Sequence, residues 1–330
     1  MAVLILHEAI APDARADELD ALVQVREVAG ALQRLGVPAA VQAIGLDLDA
    51  GLEAVRRHRP ACVFNLVESL GGRAELIGVV PKLLRSAGIS FTGSDGDVLH
   101  LTSHKTAAKC RMQARGVATP DWFTGIGRPG DDRRRWIVKS LWEHASFGLD
   151  DASVVFGRAA ARALIARRAR EYGGQWFAEG YIEGREFNIS LLERDGLPEV
   201  LPIAEMTFVG YAPGRPKIVG YAAKWVESAD EYHATQRAFP RLATALEDAI
   251  RRTALECWDL FGLRGYARVD MRLDEQDRPQ VLEVNANPCL STDAGFAAAA
   301  AEAGLTFDRV VERILHAALP QEAGLLKRAV

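Results

Sequence analysis

Short apolar runs and longer amphipathic runs alternate over the first ninety residues. Apolar runs at residues 3–6, 39–44 and 61–67 predict buried strands, and apolar positions at helical spacing predict helices over 16–35, 52–59 and 74–87. A short extended piece at 89–91 completes a β-α-β-α-β-α-β order, which predicts a parallel sheet covered by helices. Ligands of such sheets bind at the carboxyl ends of the strands, which makes Glu68 a candidate site residue.

The rest of the chain mixes helical and extended patterns. We predict a helix over 102–115, a strand at 136–139, a loop at 140–148, a helix over 157–172 and an extended piece at 175–182. A long helix over 242–261 precedes two further strands. Turn residues at 92–94 and the extended piece at 175–182 mark the expected domain boundaries, and 330 residues are enough for two or three domains.

The composition narrows the class of protein. Hydrophobic residues make up 49% and charged residues 25% of the chain, as in soluble globular proteins. A formal net charge of −4 gives no overall field that favours nucleic acid or an anionic membrane, so we expect neither partner. The apolar run at residues 1–6 is too short for a membrane span or a signal peptide, and we expect a cytoplasmic protein. The four cysteines are too far apart for a zinc motif.

The strongest local pattern lies at residues 268–285, where two strand-like runs flank a polar turn and predict a hairpin. Side chains alternate faces along a strand, so Arg268 and Asp270 share one face, and Glu283 and Asn285 share another. If the two polar faces coincide, three oxygen donors converge beside one guanidinium, a set that suits magnesium with substrate phosphates. The alternative is a solvated polar face of an antiparallel sheet.

Two lysines and an acidic joint are weaker candidates. Lys105 opens a predicted helix, and Lys139 ends a buried strand, where it is either an edge residue or a phosphate ligand. The loop that follows contains Ser146 and could fold over a polyphosphate, although it matches no standard P-loop. The acidic stretch at 177–189 could read a ribose and an adenine edge, or could be an ordinary linker.

Taken in order, these stretches resemble the ATP-grasp superfamily and, within it, D-alanine–D-alanine ligase. The resemblance is carried by VFNLVE at 63–68, FTGS at 91–94, HKTAAK at 104–109, VK at 138–139, the stretch 179–187, RVD at 268–270 and LEVNANP at 282–288. It implies a combined α/β and α+β fold with three domains. These are an N-terminal parallel-sheet substrate domain (1–93), a central domain (94–178) and a C-terminal domain with the metal site (179–330).

The resemblance also implies roles for individual residues. It assigns ATP binding to Lys105, Lys139, Glu179, Tyr181, Ile182 and Glu186. It assigns two Mg²⁺ ions, with Mn²⁺ as an alternative, to Asp270, Glu283 and Asn285. Catalysis is assigned to Arg268, Ser146 and Lys224, and substrate contacts to Glu68, Trp225, Ser291 and Asp293. The implied reaction joins a carboxylate to an amine through an acyl phosphate, with release of ADP and phosphate, and the implied assembly is a homodimer.

Several departures from the ligase pattern concern the substrate. The glycine- and serine-rich N-terminal motif is absent, and Glu68 stands where the ligase has histidine. Asp293 and Ala294 replace the segment whose serine holds the second substrate's carboxylate. A carboxylate there would repel that group and favour a cation. We therefore expect small amino-acid-like substrates other than two D-alanines, and keep two alternatives: a ligase that closes a ring within one substrate, and a non-catalytic ATP sensor.

Overall fold

The computed structural model describes residues 2–11, 13–125 and 134–319. The N-terminal part is a parallel sheet, as predicted, but it has three strands and not four, in the order β2-β1-β3. Its elements are β1 (Val3–Glu8), α1 (Ala16–Arg34), β2 (Ala39–Ile44), α2 (Leu48–His58), β3 (Cys62–Asn65), a 3₁₀ helix (Ala74–Leu76) and α3 (Val79–Ser86). The piece at 89–91 makes only one parallel bridge, Val63 to Phe91. Left-handed glycines at 88 and 93 turn the chain on either side of it, and its pairing with β3 ends at this bridge.

The middle part is an antiparallel sheet in the order β4-β7-β5-β6. Its elements are α4 (Gly96–Ser103), α5 (Lys105–Ala114), β4 (Trp122–Phe123), β5 (Arg135–Ser140), a 3₁₀ helix (Asp151–Ser153), β6 (Val154–Phe156), α6 (Arg158–Tyr172) and β7 (Trp176–Gly180). The single helix predicted over 102–115 is two helices, because His104 leaves helical geometry at ψ 86°. Its ring accepts a hydrogen bond from the amide of Ala107, which caps α5 and starts that helix at Lys105.

The C-terminal part holds the largest sheet, antiparallel in the order β11-β10-β8-β12-β13, with β9 paired to β8. Its strands are β8 (Glu186–Arg194), β9 (Leu197–Val200), β10 (Ala204–Phe208), β11 (Thr235–Ala238), β12 (Tyr266–Leu273) and β13 (Pro279–Asn285). Its helices are α7 (Tyr221–Trp225), α8 (Asp230–Ala234), α9 (Thr244–Phe261), α10 (Gly295–Glu302) and α11 (Phe307–Ala318).

The predicted hairpin is confirmed as β12 and β13. Arg268 pairs with Asn285, and Asp270 pairs with Glu283. The register shifts directly after Asp270, where a bulge on β13 inserts Leu282. Simple alternation predicts Leu282 on the face away from the polar residues, and this prediction is wrong, because the bulge turns Leu282 toward the same cavity as Glu283.

The N-terminal and C-terminal parts share one hydrophobic core. Buried side chains of the parallel sheet and α1, such as Ile5 and Val28, belong to the same cluster as Phe296 of α10 and Ile314 of α11. The chain therefore returns at its C-terminal end to cover the sheet with which it begins. Among the described helices, none is both long enough and apolar enough to cross a membrane.

Candidate active site

A cavity of about 440 Å³ lies where the three parts of the chain meet. The predicted site residues come together on its wall, with one exception. The wall includes Glu68, Lys105, Lys139, Ser146, Glu179, Tyr181, Ile182, Glu186, Lys224, Trp225, Arg268, Asp270, Glu283, Asn285 and Asp293. The exception is Ser291, which is 1% exposed, lies behind the wall and donates a hydrogen bond to Asp20, a wall residue.

A buried carboxylate between two ammonium groups forms one end of the cavity. Glu179 on β7 makes ion pairs of 2.8 Å with Lys109 and 2.6 Å with Lys139. Burial alone would raise the pKa of Glu179, but the two lysines outweigh burial and hold that pKa at about 2. Lys109 also donates to Thr119, so its charge is fixed in place. Lys139 stays partly open to the cavity at 20% side-chain exposure and can offer its charge to a ligand there.

Lys105 connects this end to the hairpin. Its ammonium group donates to the backbone carbonyl of Glu143 at 2.6 Å and lies 3.8 Å from Glu283. Burial raises the pKa of Glu283, but the surrounding cations, Lys105 first among them, bring it below its ordinary value. Glu283 is therefore ionised at neutral pH and lies within a concentration of positive charge that favours anionic ligands.

Arg268 and Asp270 form a bidentate ion pair on β12. Arg268 Nε and Nη2 donate to the two carboxylate oxygens of Asp270 at 2.7 and 2.8 Å, and Asn188 on β8 donates to the same carboxylate. Burial alone would lower the pKa of Arg268, but Asp270 raises it above its ordinary value, so the guanidinium keeps its proton. The guanidinium of Arg268 and the carboxylate of Asp270 are therefore both held in fixed orientations beside Glu283.

Arg272, which the sequence pattern does not single out, organises the hinge between β7 and β8. It makes an ion pair of 2.7 Å with Glu186 and donates to the carbonyl of Ile182 at 2.5 Å and to that of Lys217. The hydroxyl of Tyr181 accepts from the Lys217 amide at 2.8 Å. One buried arginine and the loop that contains Lys217 therefore position Tyr181, Ile182 and Glu186, three of the residues predicted to bind ATP.

Two hydrogen bonds join the loop after β5 to the segment around α7. The hydroxyl of Ser146, a residue with φ +60°, donates to the carbonyl of Val219 at 2.8 Å. The indole of Trp225 donates to the carbonyl of Ala145 at 3.0 Å. We call this pair of bonds the clasp. It closes one side of the cavity above Lys105 and Lys224.

The opposite end of the cavity is acidic. Glu68 follows β3, and Gln24 on α1 donates to it and to Asp20 at 3.0 and 3.3 Å. Burial and the neighbouring carboxyl of Glu8 raise the pKa of Glu68 to about 8. Asp17 on α1 lines the same end and accepts from the hydroxyl of Tyr221. An ammonium group that binds beside such a carboxyl group stabilises its ionised form.

The oxygen donors of the hairpin fit a divalent cation that carries phosphates. Asp270, Glu283 and Asn285 offer carboxylate and amide oxygens on one wall, next to the lysines that would hold phosphate groups. Residues 2–11, 13–125 and 134–319 contain no cluster of three or more His, Cys, Asp or Glu side chains that could hold a metal.

Several residues in or directly behind the cavity wall were not predicted from sequence. Lys109 carries a detectable signal, because it lies four residues after Lys105 and so on the same helix face. Arg272 lies two residues beyond Asp270 on the same face of β12, but its partners are 55 to 90 residues away. Asp17 and Asp20 reach the cavity only because α1 packs on the C-terminal part, which no local pattern indicates.

With this geometry in place, comparison with known proteins defines the class. Residues 136–316 match the family described as D-ala D-ala ligase C-terminus. The chain is 30% identical over 297 residues to a D-alanine–D-alanine ligase of Stutzerimonas stutzeri, covering 87% of this chain and 88% of that protein. It is 33% identical over 261 residues to the uncharacterized protein y4sG of Sinorhizobium fredii, covering 78% and 74%.

Solved structures agree on the fold. A crystal structure of D-alanine–D-alanine ligase from Bacillus anthracis complexed with ATP superposes with a TM-score of 0.74 at 19% identity, covering 96% of this chain and 97% of that one. The D-alanine–D-alanine ligase of Coxiella burnetii gives 0.68 at 14% identity, covering 96% and 95%. The chain has the fold of an ATP-grasp enzyme and belongs to the enzymes that form carbon–nitrogen bonds. The chain belongs to the D-alanine–D-alanine ligase family.

Proposed function

We propose that the protein joins the carboxylate of one amino-acid-like substrate to the amine of another, with ATP converted to ADP and phosphate. The observation that carries this proposal is the hairpin wall, where Arg268, Asp270, Glu283 and Asn285 face the same cavity as Lys105. A protein that only senses ATP has no use for a guanidinium held at the far side of the phosphate-binding groups. The arrangement is the one a ligase needs.

ATP would bind with its base and ribose beside Glu179, Ile182 and Glu186, and its phosphates toward Lys105 and Lys139. Asp270, Glu283 and Asn285 would hold Mg²⁺. The metal, when bound, neutralises charge on the phosphates during transfer. Tyr181 and Arg272 keep the hinge in its binding shape before the nucleotide arrives, which lowers the entropy lost on binding.

In the first step, an oxygen of the donor carboxylate forms a bond to the γ-phosphorus, and the bond from that phosphorus to the β–γ bridging oxygen breaks. ADP leaves, and the donor becomes an acyl phosphate. The lysines stabilise the charge that spreads over the transferring group. Glu68, Asp20 and Asp17 hold the donor's ammonium group at the acidic end, which aims its carboxylate at the phosphates.

In the second step, the acceptor amine attacks the acyl carbon, and the proton that it loses passes to the phosphate group that leaves. The carbonyl oxygen becomes negatively charged, and Arg268 is placed to stabilise that charge. The carbon–oxygen bond to phosphate then breaks, phosphate leaves and an amide remains. Lys224 adds positive charge next to Arg268; burial and Arg268 lower its pKa. No side chain needs to form a covalent bond with the substrate.

The test is a turnover screen with purified protein, MgATP and paired amino acids of both stereochemistries. ADP and phosphate should form only when an acid and an amine are both present, and mass spectrometry should show one amide bond. AMP and pyrophosphate as the products would contradict the mechanism. Loss of water from a single substrate would establish ring closure in its place, and ATP binding without turnover across the whole screen would establish a sensor.

The metal-binding role of the hairpin has its own test. Glu283→Gln and Asp270→Asn should each lower the turnover rate by about 100-fold or more, because each removes a charged oxygen from the phosphate-binding wall. Glu275→Gln, on the exposed turn of the same hairpin, is the matched control and should keep the wild-type rate. Circular dichroism should show all three folded. Wild-type rates for both wall variants at saturating Mg²⁺ would refute the assignment.

A further inference from the structure

Arg237 places a second guanidinium on the substrate side of the cavity. It lies on β11, and its side chain lines the cavity together with Arg268, Asp293 and Gly295. A Cβ atom on Gly295, the first residue of α10, would lie 3.7 Å from Nη2 and 3.8 Å from Nε of Arg237. The guanidinium therefore lies against the start of α10, where glycine leaves it room.

The donors of Arg237 are available to a ligand. Arg268 and Arg272, the other arginines of this wall, are each held by a carboxylate, Asp270 and Glu186 respectively. Arg237 makes no ion pair within 4 Å and no side-chain hydrogen bond to any residue of the described ranges. Arg237 as a whole residue is exposed. Partial desolvation of its guanidinium in the cavity and the charge of Arg268 lower its pKa, and Asp293 raises it in part.

The surroundings of Arg237 select an anion with two oxygens. A guanidinium donates two parallel N–H groups, which match a carboxylate, and it keeps its charge at any working pH. The first turn of α10 adds backbone N–H groups and the positive end of the helix dipole on the same side. Arg268 already donates two hydrogen bonds to Asp270, so it cannot make the same bidentate contact with a second carboxylate unless it releases Asp270.

We propose that Arg237, with the first turn of α10, binds the α-carboxylate of the amine substrate and so determines that the acceptor is an amino acid. This assignment rests on the proposed ligase function. Asp293 lines the same part of the cavity and by itself would repel that carboxylate; the positive charge of Arg237 opposes this repulsion. Arg237 would thereby stand in for the carboxylate-binding serine that the resemblance places at Ala294. Arg237 is a specificity residue: it fixes the acceptor's carboxylate, so that the amine, one carbon away, is directed toward Arg268 and the acyl carbon.

The experiment compares the best acceptor amino acid with its α-carboxamide, at saturating MgATP and donor. Arg237→Gln should raise KM for the free acid by about 10- to 100-fold, the loss expected for one charge-assisted bidentate contact. KM for the carboxamide, for ATP and for the donor should change less than about threefold. Arg237→Lys should recover part of the loss, since it keeps the charge without the fork. Arg241→Gln, an exposed arginine four residues away, is the matched control.

The results separate this inference from the function on which it rests. An equal rise in KM for acid and carboxamide, or a rise confined to ATP, would overturn the role of Arg237 while leaving the ligase intact. If the wild-type protein turns over no pair, the ligase proposal fails. Calorimetric titration of free amino acids and their carboxamides into protein loaded with a non-hydrolysable ATP analogue then decides the role of Arg237. Equal binding of the two forms, or equal binding by Arg237→Gln, would overturn it.

Discussion

At the scale of single residues, Glu179 shows how a buried charge is held. Its carboxylate is 1% exposed and is paired with two lysines, one of them fully buried. Removing one partner of a buried pair leaves a charge without compensation and destabilises a protein by about 3–5 kcal/mol. Loss of the Lys109–Glu179 pair should therefore destabilise the middle sheet and also disturb the end of the cavity that Glu179 lines.

We expect Lys109→Met to lower the free energy of unfolding by about 3 kcal/mol at pH 7, measured by urea denaturation. The pKa of Glu179 is depressed to about 2 from 4.5, so the stability contributed by its pairs is complete above pH 4.5 and is lost as the pH falls toward 2. The deficit of the variant should therefore shrink below pH 4.5. A deficit that stays constant down to pH 2.5 would contradict the pairing.

Glu68 should produce the opposite pH dependence. Its pKa is raised from 4.5 to about 8, so the folded protein binds more protons than the unfolded chain between these values, and stability falls as the pH rises through them. Glu68→Gln should remove this part of the decline, so that the difference in Tm between variant and wild type grows from pH 5 to pH 8.5. Glu53→Gln, on the exposed side of α2, is the control. A pH-independent difference would show that Glu68 has an ordinary pKa.

Residue types and spacing allowed part of this site to be predicted. The hairpin acids, Lys105 and Lys139 lie where alternation and the ordered motifs place them, because strand geometry alone brings Asp270 and Glu283 together. Arg237 and Asp20 could not be found in this way. Their positions depend on how separate elements pack, and a single arginine or aspartate on a surface-like segment carries no distinguishing local pattern.

At the scale of elements, the clasp is the contact on which closure of the cavity depends. Ser146→Ala removes the hydrogen bond to Val219 and keeps the backbone in place, so the loop at 141–149 should open more often. One hydrogen bond is worth about 1 kcal/mol, which corresponds to about fivefold faster amide hydrogen exchange across that loop. Ser86→Ala, which removes a similar serine-to-carbonyl bond on α3, should leave exchange in the loop unchanged. Unchanged exchange in Ser146→Ala would contradict the clasp.

Element boundaries show where periodicity is insufficient. The predicted helix over 102–115 was wrong as a single helix, since an imidazole cap at His104 competes with continued helix and turns the chain. The extended piece at 89–91 was expected as a strand, and the helix at 74–87 as continuous. At 89–91, left-handed glycines on both sides outweigh the apolar pattern. At 74–87, the amides of Leu76 and Ile77 bond three residues back and form a 3₁₀ helix, and α3 begins only after Gly78.

At the scale of the whole molecule, the core shared by α1, the parallel sheet, α10 and α11 ties the two ends of the chain together. Ile314→Ala in α11 should cost about 2–5 kcal/mol, because Ile314 is fully buried. Hydrogen exchange should increase in β1 and β3 as well as in α11, since they share that core. Protection that falls in α11 alone would show that the two parts are energetically separate.

The domain limits at 93/94 and 178/179 and the homodimer remain predictions at this scale. The stretches 126–133 and 320–330 of the expected domains lie outside the described residues. The shared core nevertheless argues against the N-terminal 93 residues as an independent folding unit. Limited proteolysis would locate the boundaries, and light scattering on the purified chain would give its mass in solution.

The cavity has two ends built by different elements. The hairpin, α5 and β7 form the nucleotide end, while α1, the loop after β3 and the start of α10 form the other. An inhibitor that imitates only the nucleotide would leave this second end empty. A bisubstrate compound, with a basic group for Asp17 and Asp20 and the acid that we propose for Arg237, would occupy the second end as well. The design of selective inhibitors should therefore begin at the end of the cavity formed by α1, the loop after β3 and the start of α10.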